Sequence, residues 1–183
     1  DDTFLQGRDL ACAYRASEDG FDAATFHRKV DLKGPCVVYA ETEDGHRLGG
    51  FNSEGFSSSD DYAASFTAFL FCWPKKGEEC VKLGKVGGSE AAVFDFARGG
   101  PQWGADALII GPPRAPVMGG MSGPDSPTGG GAGDLRTAKS RLGQAYEMVP
   151  SQFGDRSLFG GARSEATLRE VQVFYAPEIA KLY

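Results

Sequence analysis

The sequence predicts a mainly β domain with a few helices. Several short apolar runs alternate with turn signals, which is the pattern of a chain built from strands. The run Phe66–Trp73 is almost unbroken apolar on both of its alternating faces, so we expect a strand covered on both sides in the interior of a sheet. It is too short to cross a bilayer, which needs about 20 residues. The Asp44-Gly45 pair is the strongest hairpin signal in the chain.

The elements before the central run are predicted in this order. Residues 9–17 form the first strand. Residues 21–30 form a helix with an apolar side, and Asp22 is placed to cap it. Residues 35–51 form a strand, a turn and a returning strand.

The elements after the central run are four further strands. They are expected in the segments 80–86, 91–96, 106–111 and 167–175. The first of them pairs with the central run through a turn at 74–79. The last alternates, so that Val171 and Val173 face inward while Glu170 faces the other way.

Length and charge limit the classes of protein. The 183 residues suit one domain over 1–183, and at this length folding buries roughly 70% of the surface of the unfolded chain. The net charge of −6 argues against a general nucleic-acid-binding or anionic-membrane-binding surface, because both need a basic face. We therefore expect a protein partner, with no nucleic acid and no direct membrane span.

An inserted loop at 111–134 differs from the rest of the chain. It is dense in proline and glycine, has no periodicity and is longer than an ordinary connection. Its prolines stiffen one end, its Met and Val side chains offer adaptable apolar contacts, and its arginine adds a charge-assisted donor. The predicted partner-binding residues are Pro112, Pro113, Arg114, Pro116, Val117, Met118 and Met121. The alternative is that the loop packs on its own domain.

The four cysteines allow two interpretations. Cys72 and Cys80 flank the turn at 74–79, so they are a candidate disulfide if they face each other across two strands. Whether they bond depends on the redox compartment. The other interpretation is that the cysteines are free thiols in the core, where this residue type is often found.

No catalytic or metal-binding signature is present, so we expect neither an enzyme nor a cofactor. The two histidines, His27 and His46, lack the spacing of metal ligands. The sequence contains no nucleophile elbow, phosphate-binding loop or calcium-loop register. Glu41 and Glu43 alternate on a predicted strand and are interpreted as a solvated face.

The first residues do not include an initiator methionine. Removal of a targeting segment and trimming of the sequence both account for this, and the two are not separable from the sequence. The expected location is intracellular, either cytoplasmic or organellar after removal of a targeting segment.

Five pieces of the sequence, taken in order, resemble the TLDc domain family. They are LACAYRASEDGFDAATFHRKV, VVYAETEDGHRLGGF, the F-L-F strand, ARGGPQWGADALII and LREVQVFYAPE, and they cover about residues 9–178. The residues that match the family pattern are Gly20, Phe21, Gly49, Gly50, Phe51, Phe69, Leu70, Phe71, Glu170 and Val171. The chain departs from the family in having Asp19 before Gly20, in a sparser glycine cluster and in the inserted loop.

The resemblance implies a two-sheet antiparallel β-sandwich with the F-L-F strand in its core. Phe69 and Phe71 are then packing residues. Gly49 and Gly50 allow backbones to approach closely or to adopt positive φ. Glu170 is either solvated or accepts hydrogen bonds from backbone donors and holds a loop in place.

The function that the resemblance implies is that of a non-enzymatic protein-interaction module, an accessory or regulatory subunit docked on a larger assembly. The family precedents are the vacuolar proton-pumping ATPase and protection against oxidative stress. One alternative is a thiol-based antioxidant or redox-sensing protein. A further alternative is an accessory subunit of an organellar energy-converting complex.

Overall fold

A computed structural model of the chain describes residues 3–74, 78–112, 133–151 and 154–183. Within these ranges the chain forms eleven strands and three short helices. The strands are β1 (Ala11–Arg15), β2 (Cys36–Thr42), β3 (Arg47–Asn52), β4 (Asp61–Ala63), β5 (Phe69–Trp73), β6 (Val81–Leu83), β7 (Val93–Asp95), β8 (Pro101–Trp103), β9 (Leu108–Ile110), β10 (Thr137–Lys139) and β11 (Glu165–Tyr175). The helices are α1 (Ala16–Asp19), α2 (Ala23–Val30) and α3 (Pro177–Ala180). The prediction of a mainly β chain with a few helices is confirmed.

The strands form one curled antiparallel sheet with the shape of a half-barrel. Their order across the sheet is β4-β7-β8-β9-β10-β11-β2-β3-β5-β6, and β1 pairs with β11 outside this path. The predicted hairpin is confirmed, since β2 and β3 pair antiparallel on either side of Asp44-Gly45. The predicted helix cap is also confirmed, because the side chain of Asp22 accepts a hydrogen bond from the backbone N–H of Thr25 at 2.7 Å.

The two-sheet sandwich that we expected is not clearly formed, because β11 belongs to both halves of the sheet. Its first residues, up to Thr167, pair with β10, whereas Leu168–Tyr175 pair with β2. The register shifts between Leu168 and Glu170, close to the point where the partner strand changes. An irregularity of this kind bends a strand and increases its twist. The sheet therefore curls continuously instead of dividing into two separate layers.

The central run is a strand in the interior of the sheet, but it is shorter than predicted. β5 lies between β3 and β6 and begins at Phe69. Phe66 precedes it and is 84% exposed. The hydroxyl of Ser65 accepts hydrogen bonds from the backbone N–H groups of Thr67 (3.1 Å) and Ala68 (2.9 Å), so the chain turns here before the strand starts.

The faces of β5 are buried to different degrees. Leu70 and Cys72 point into the main core and are almost fully buried. Phe71 lies on the other face and is 9% exposed, whereas Phe69 on the same face is only half-buried. The prediction of a packing role is therefore met most fully at Leu70 and Phe71. Phe69 packs in a smaller cluster with Phe51.

Gly49 and Gly50 on β3 allow aromatic rings to lie against the sheet on both faces. A Cβ atom built on Gly50 would lie 2.5 Å from Cε2 of Trp103, which packs on the inner face. A Cβ atom built on Gly49 would lie 2.5 Å from Cζ of Phe71 on the outer face and would also overlap the carbonyl oxygen of Val38. Of the two roles predicted for these glycines, the structure shows a close approach, in which aromatic rings lie against the backbone. Neither residue has a positive φ.

Trp103 connects the two halves of the curled sheet. It comes from β8 in one half and is fully buried against β3 in the other. Its indole Nε1 donates a hydrogen bond to the carbonyl oxygen of Phe51 at 3.0 Å. The core therefore lies between the two halves, where the sheet curls over itself.

No helix within the described ranges combines the length and the apolar character that a membrane-spanning segment requires.

Candidate functional site

The β2–β3 hairpin ends in a tight polar turn beside a surface cleft. The hydroxyl of Thr42 accepts a hydrogen bond from the backbone N–H of His46 (2.8 Å) and donates one to Oδ1 of Asp44 (2.5 Å). Gly45 has a φ of +88°, a left-handed conformation that glycine adopts without strain. The cleft has a volume of about 520 Å³, and the residues lining it are Glu41, Asp44, Gly45, His46, Arg47, Trp73 and Arg169.

Both carboxylates of the cleft are already neutralised by arginines. Arg169 on β11 donates from Nη2 to Oε1 of Glu41 at 2.5 Å, and Arg163 donates from Nη1 to Oδ2 of Asp44 at 2.6 Å. The hydrogen bonds from Arg163 and then from Thr42 lower the pKa of Asp44 below its usual range, so this group stays ionised at neutral pH. The expectation of a solvated face holds for Glu43, which is exposed, but not for Glu41, whose side chain is 19% exposed and ion-paired.

Arg47 differs from the other two arginines. It lies opposite Glu41 on β2 and Trp73 on β5, and its guanidinium carbon is 4.5 Å from the centroid of the Trp73 ring. Trp73 is itself in edge contact with Tyr39 and Phe71. In the described part of the chain, no group forms a hydrogen bond or an ion pair with the Arg47 guanidinium. Within the described ranges, the Arg47 guanidinium therefore keeps its hydrogen-bond donors unused, and Glu41 is its cross-strand neighbour.

The chemistry available in the cleft is suited to binding a charged group. His46 lies 3.5 Å from Asp44, measured from Nδ1 to Oδ2. Among the described residues that line the cleft, however, none is a serine, threonine, cysteine or lysine that such a pair would activate as a nucleophile. Across the described ranges, no three His, Cys, Asp or Glu side chains are placed to hold a metal ion.

The sequence indicated this site only in part. Glu41 and Trp73 lie in strands that were predicted, but the arginines that complete the site were missed. Arg163 is 119 positions from its partner, and Arg169 is 128 positions from its partner. One signal was available locally: Glu41 and Arg47 have opposite charges and flank the Asp44-Gly45 turn, so the hairpin register pairs them across two strands.

The cysteines do not form the candidate disulfide. All four lie in the described ranges and are free thiols, with Cys36 and Cys72 buried and Cys12 and Cys80 exposed. Cys72 pairs with Val81, so the expectation that it lies directly opposite Cys80 is wrong by one residue. The expectation of core thiols holds for two of the four.

The pKa values of three thiols are raised. Burial raises the pKa of Cys72 to about 12 and that of Cys36 above its usual range. Burial is also the main cause that raises the pKa of Cys80, while the charge of Arg47 opposes the shift. Because the thiolate is the reactive form, these three groups are poor nucleophiles at neutral pH.

Glu170 accepts hydrogen bonds from backbone donors, which was part of one of its two predicted roles, but the segment that it fixes is helix α1 and not a loop. Its Oε1 accepts hydrogen bonds from the backbone N–H groups of Ser17 (3.2 Å) and Val171 (2.9 Å), and its Oε2 accepts from the Ser17 hydroxyl at 2.5 Å. Glu170 therefore ties helix α1 to β11. Val171 is fully buried, as predicted.

Gly20 and Phe21, which also match the family pattern, lie at the end of α1. Gly20 has a φ of +93°, and its carbonyl oxygen accepts a hydrogen bond from the hydroxyl of Tyr14 at 2.6 Å. The ring of Phe21 lies under the guanidinium of Arg136, whose central carbon is 4.6 Å from the ring centroid. Both residues position the start of α2 against the sheet.

The predicted partner-binding residues lie almost entirely outside the described residues. Pro112 is half-buried and lies two residues after the end of β9. Those outside the described residues are Pro113, Arg114, Pro116, Val117, Met118 and Met121. Their role in an interface stays a prediction.

His27 is a buried residue for which the sequence predicted no role. It is 6% exposed; its Nδ1 lies 2.8 Å from Oδ1 of Asp31, and its Nε2 lies 2.9 Å from the carbonyl oxygen of Phe96 and 3.1 Å from that of Gly99. These oxygens accept hydrogen bonds, so the arrangement favours the protonated ring, in which both nitrogens donate. Burial opposes the charge, but the hydrogen bond and charge of Asp31 and the Phe96 carbonyl outweigh it, and the pKa of His27 is raised above 6.5.

The stabilisation from His27 is expected to decline as the pH rises. The folded protein binds the proton more tightly than the unfolded chain, so the stabilisation is complete below a pH of about 6.5 and is lost as the pH rises through the folded-state pKa. Urea unfolding between about pH 5.5 and pH 9 should show this decline in the parent chain and not in H27Q. The control H46Q removes the other imidazole. A decline that persists in H27Q and disappears in H46Q would contradict the assignment.

The fold and the cleft define the class of protein as a mainly antiparallel β domain with a curled sheet and a mixed-charge cleft beside a hairpin. The family model of the TLDc domain matches residues 3–112. The chain belongs to the TLDc domain family, as the resemblance indicated. A search of curated proteins finds no match to the chain. Beyond the matched range, β10 and β11 pair into the same sheet.

Proposed function

We propose that this TLDc domain is a non-enzymatic protein-interaction module, an accessory or regulatory subunit docked on a larger assembly. The observation that carries the proposal is the cleft, where both carboxylates are neutralised and Arg47 keeps its hydrogen-bond donors free beside an aromatic ring. The family precedent supports it, since TLDc domains are associated with binding and regulating the vacuolar proton-pumping ATPase and with protection against oxidative stress. The second candidate host, an organellar energy-converting complex, would use the same kind of docking.

A thiol-based antioxidant is the competing function. The exposure of Cys12 and Cys80 favours it. The raised pKa of Cys80 and the burial of Cys36 and Cys72 argue against it, because a reactive cysteine needs an accessible thiolate.

Two measurements on the full chain separate these functions. In the first, a tagged chain is captured from native extract under low and moderate salt, and the associated subunits are identified. In the second, the purified chain is incubated with hydrogen peroxide and its consumption is followed. The interaction module predicts a reproducible set of subunits and no peroxide consumption above buffer. Consumption that is lost in C12S or C80S, with no associated subunits, would support the antioxidant instead.

The inserted loop is expected to contribute to association rather than to folding. Its two ends meet: a Cβ atom built on Gly111 would lie 3.5 Å from the carbonyl oxygen of Asp134, and β9 and β10 pair antiparallel beside this point. Replacing residues 117–128 with a short Gly/Ser linker should therefore leave the melting temperature nearly unchanged and weaken association. Ordering a glycine-rich segment costs roughly 1–2 kcal/mol per residue, which a partner has to offset.

A replacement of equal length with Gly and Ser is the matched control for that experiment. It keeps the length of the loop and removes only its side chains. If both variants unfold, the loop is structural. If both associate like the parent chain, the partner binds elsewhere.

A further inference from the structure

We propose that the cleft receives an acidic segment of a partner protein, with a carboxylate of that segment bound by Arg47. The inference rests on the proposed function, because it names the chemistry by which an interaction module recognises its partner at this site. The residues that carry it are Glu41, Asp44, Arg47, Trp73 and Arg169.

Arg47 is arranged to bind an anion. The contact of its guanidinium with the Trp73 ring orients the cation without using its N–H donors. Arginine presents five such donors in a planar fork that matches a carboxylate with two parallel hydrogen bonds. Since no group in the described ranges accepts from this fork, the donors are available to a ligand that enters the cleft.

The charges around Arg47 favour an anion over a cation or a metal ion. Glu41 accepts from Arg169, and Asp44 accepts from Arg163, so neither carboxylate is free to attract a cation. Arg169 and Arg163 pair with these two carboxylates, Arg163 from outside the lining of the cleft, and no ion pair within the described ranges uses the Arg47 guanidinium. A ligand with a single negative group can therefore pair with Arg47 without displacing either ion pair.

The aromatic wall of the cleft favours a peptide carboxylate over a phosphate. A phosphate group carries close to two negative charges and is usually bound by a cluster of arginines, whereas among the described residues that line the cleft only the Arg47 guanidinium forms no ion pair. Trp73 is the aromatic residue among the described residues that line the cleft, and its ring is held by Tyr39 and Phe71 outside the lining, with centroids 6.3 Å and 5.8 Å away. The ligand that fits is an acidic side chain next to an apolar one, and a volume of about 520 Å³ accommodates both.

The test uses the full chain, labelled with ¹⁵N, and two capped peptides. The probe is acetyl-Ser-Leu-Asp-Glu-Leu-Ser-amide, and its matched control carries Asn-Gln in place of Asp-Glu. The probe is expected to shift the backbone resonances of the Asp44-Gly45 turn and the indole resonance of Trp73. The control peptide is expected to bind about tenfold more weakly or worse, since it lacks the charge. Binding of the probe should also weaken with added salt.

Two variants of Arg47 and one distant arginine assign the binding to this residue. R47Q removes the charge and should lose about tenfold or more in affinity, whereas R47K keeps the charge without the fork and should lose less. R98Q is the matched control, because Arg98 also lies near an aromatic ring, Phe96, at 5.9 Å, but in the other half of the sheet. It should bind like the parent chain. Circular dichroism confirms that each variant is folded.

Three results would overturn the proposal: equal binding by R47Q and the parent chain, equal binding of the two peptides, or a phosphoserine version of the probe that binds more tightly than the Asp-Glu peptide. The last result would assign the cleft to phosphate instead. If the native subunits are still captured by R47Q, the cleft assignment fails and the interaction module stands. If no subunit is captured by the parent chain either, the proposed function itself fails.

Discussion

Replacing Trp103 with alanine is expected to lower the free energy of unfolding by about 3–5 kcal/mol, the range for large aromatic side chains in a core. The indole is fully buried between the two halves of the curled sheet, and its removal leaves a cavity there. It also leaves the carbonyl oxygen of Phe51 without the indole donor that is now 3.0 Å away. Urea unfolding followed by circular dichroism measures the change.

Trp73 provides the matched control for this substitution. It is the other tryptophan of the chain, it is half-buried, and it lies on the outer face of β5. W73A is expected to cost much less than W103A. W103F should fall in between, because it keeps a ring and loses the hydrogen bond. Equal effects of W73A and W103A would show that the core does not depend on the contact between the two halves.

Replacing Gly50 with alanine is expected to destabilise the protein by about 1–3 kcal/mol, as overpacking does in a well-packed core. A Gly→Ala substitution in the middle of a strand usually stabilises a protein, by about 0.5–1 kcal/mol. The effect expected for G50A has the opposite sign. The cause is the ring of Trp103, which lies 2.5 Å from the position of the new methyl group. The ring is fully buried and has no room to move away.

A double-mutant cycle tests this cause directly. In the W103A background the ring is absent, so G50A should cost less than it does in the parent chain. G84A is the control, because its methyl group would meet only the end of the Glu147 side chain, at 3.4 Å. It should change stability by no more than about 0.5 kcal/mol. Strictly additive effects of G50A and W103A would rule out the steric explanation.

Elements with a long periodic pattern were predicted correctly, and so were the short apolar strands β6, β7 and β9, whereas other short elements were missed. β2, β3, β11 and α2 show clear alternation or a capped apolar side, and the Asp-Gly pair marks the turn between β2 and β3. The strands β4 and β10 have three residues each, and α1 and α3 have four each. Segments of this length contain less than two full periods of a strand or helix, so their apolar residues do not form a recognisable periodic pattern.

The register between strands is the second feature that could not be predicted from the sequence. A turn of uncertain length allowed Cys72 to face Cys80, whereas the observed pairing places Val81 opposite Cys72. A shift of one residue moves every side chain of a strand to the other face. For that reason, the candidate disulfide depended on a detail that local patterns do not specify.

The amino-acid pattern is sufficient to establish the β-rich class, the hairpin at Asp44-Gly45, the buried face of β11 and the family. These follow from local periodicity and from motifs that are short and continuous. The curl of the sheet and the charge of the cleft come from the tertiary structure. β11 joins the two halves of the sheet, and its Arg169 reaches Glu41, which lies 128 positions earlier. Only folding leaves Arg47 as the arginine of this cleft that forms no ion pair within the described ranges, because folding decides which charges meet.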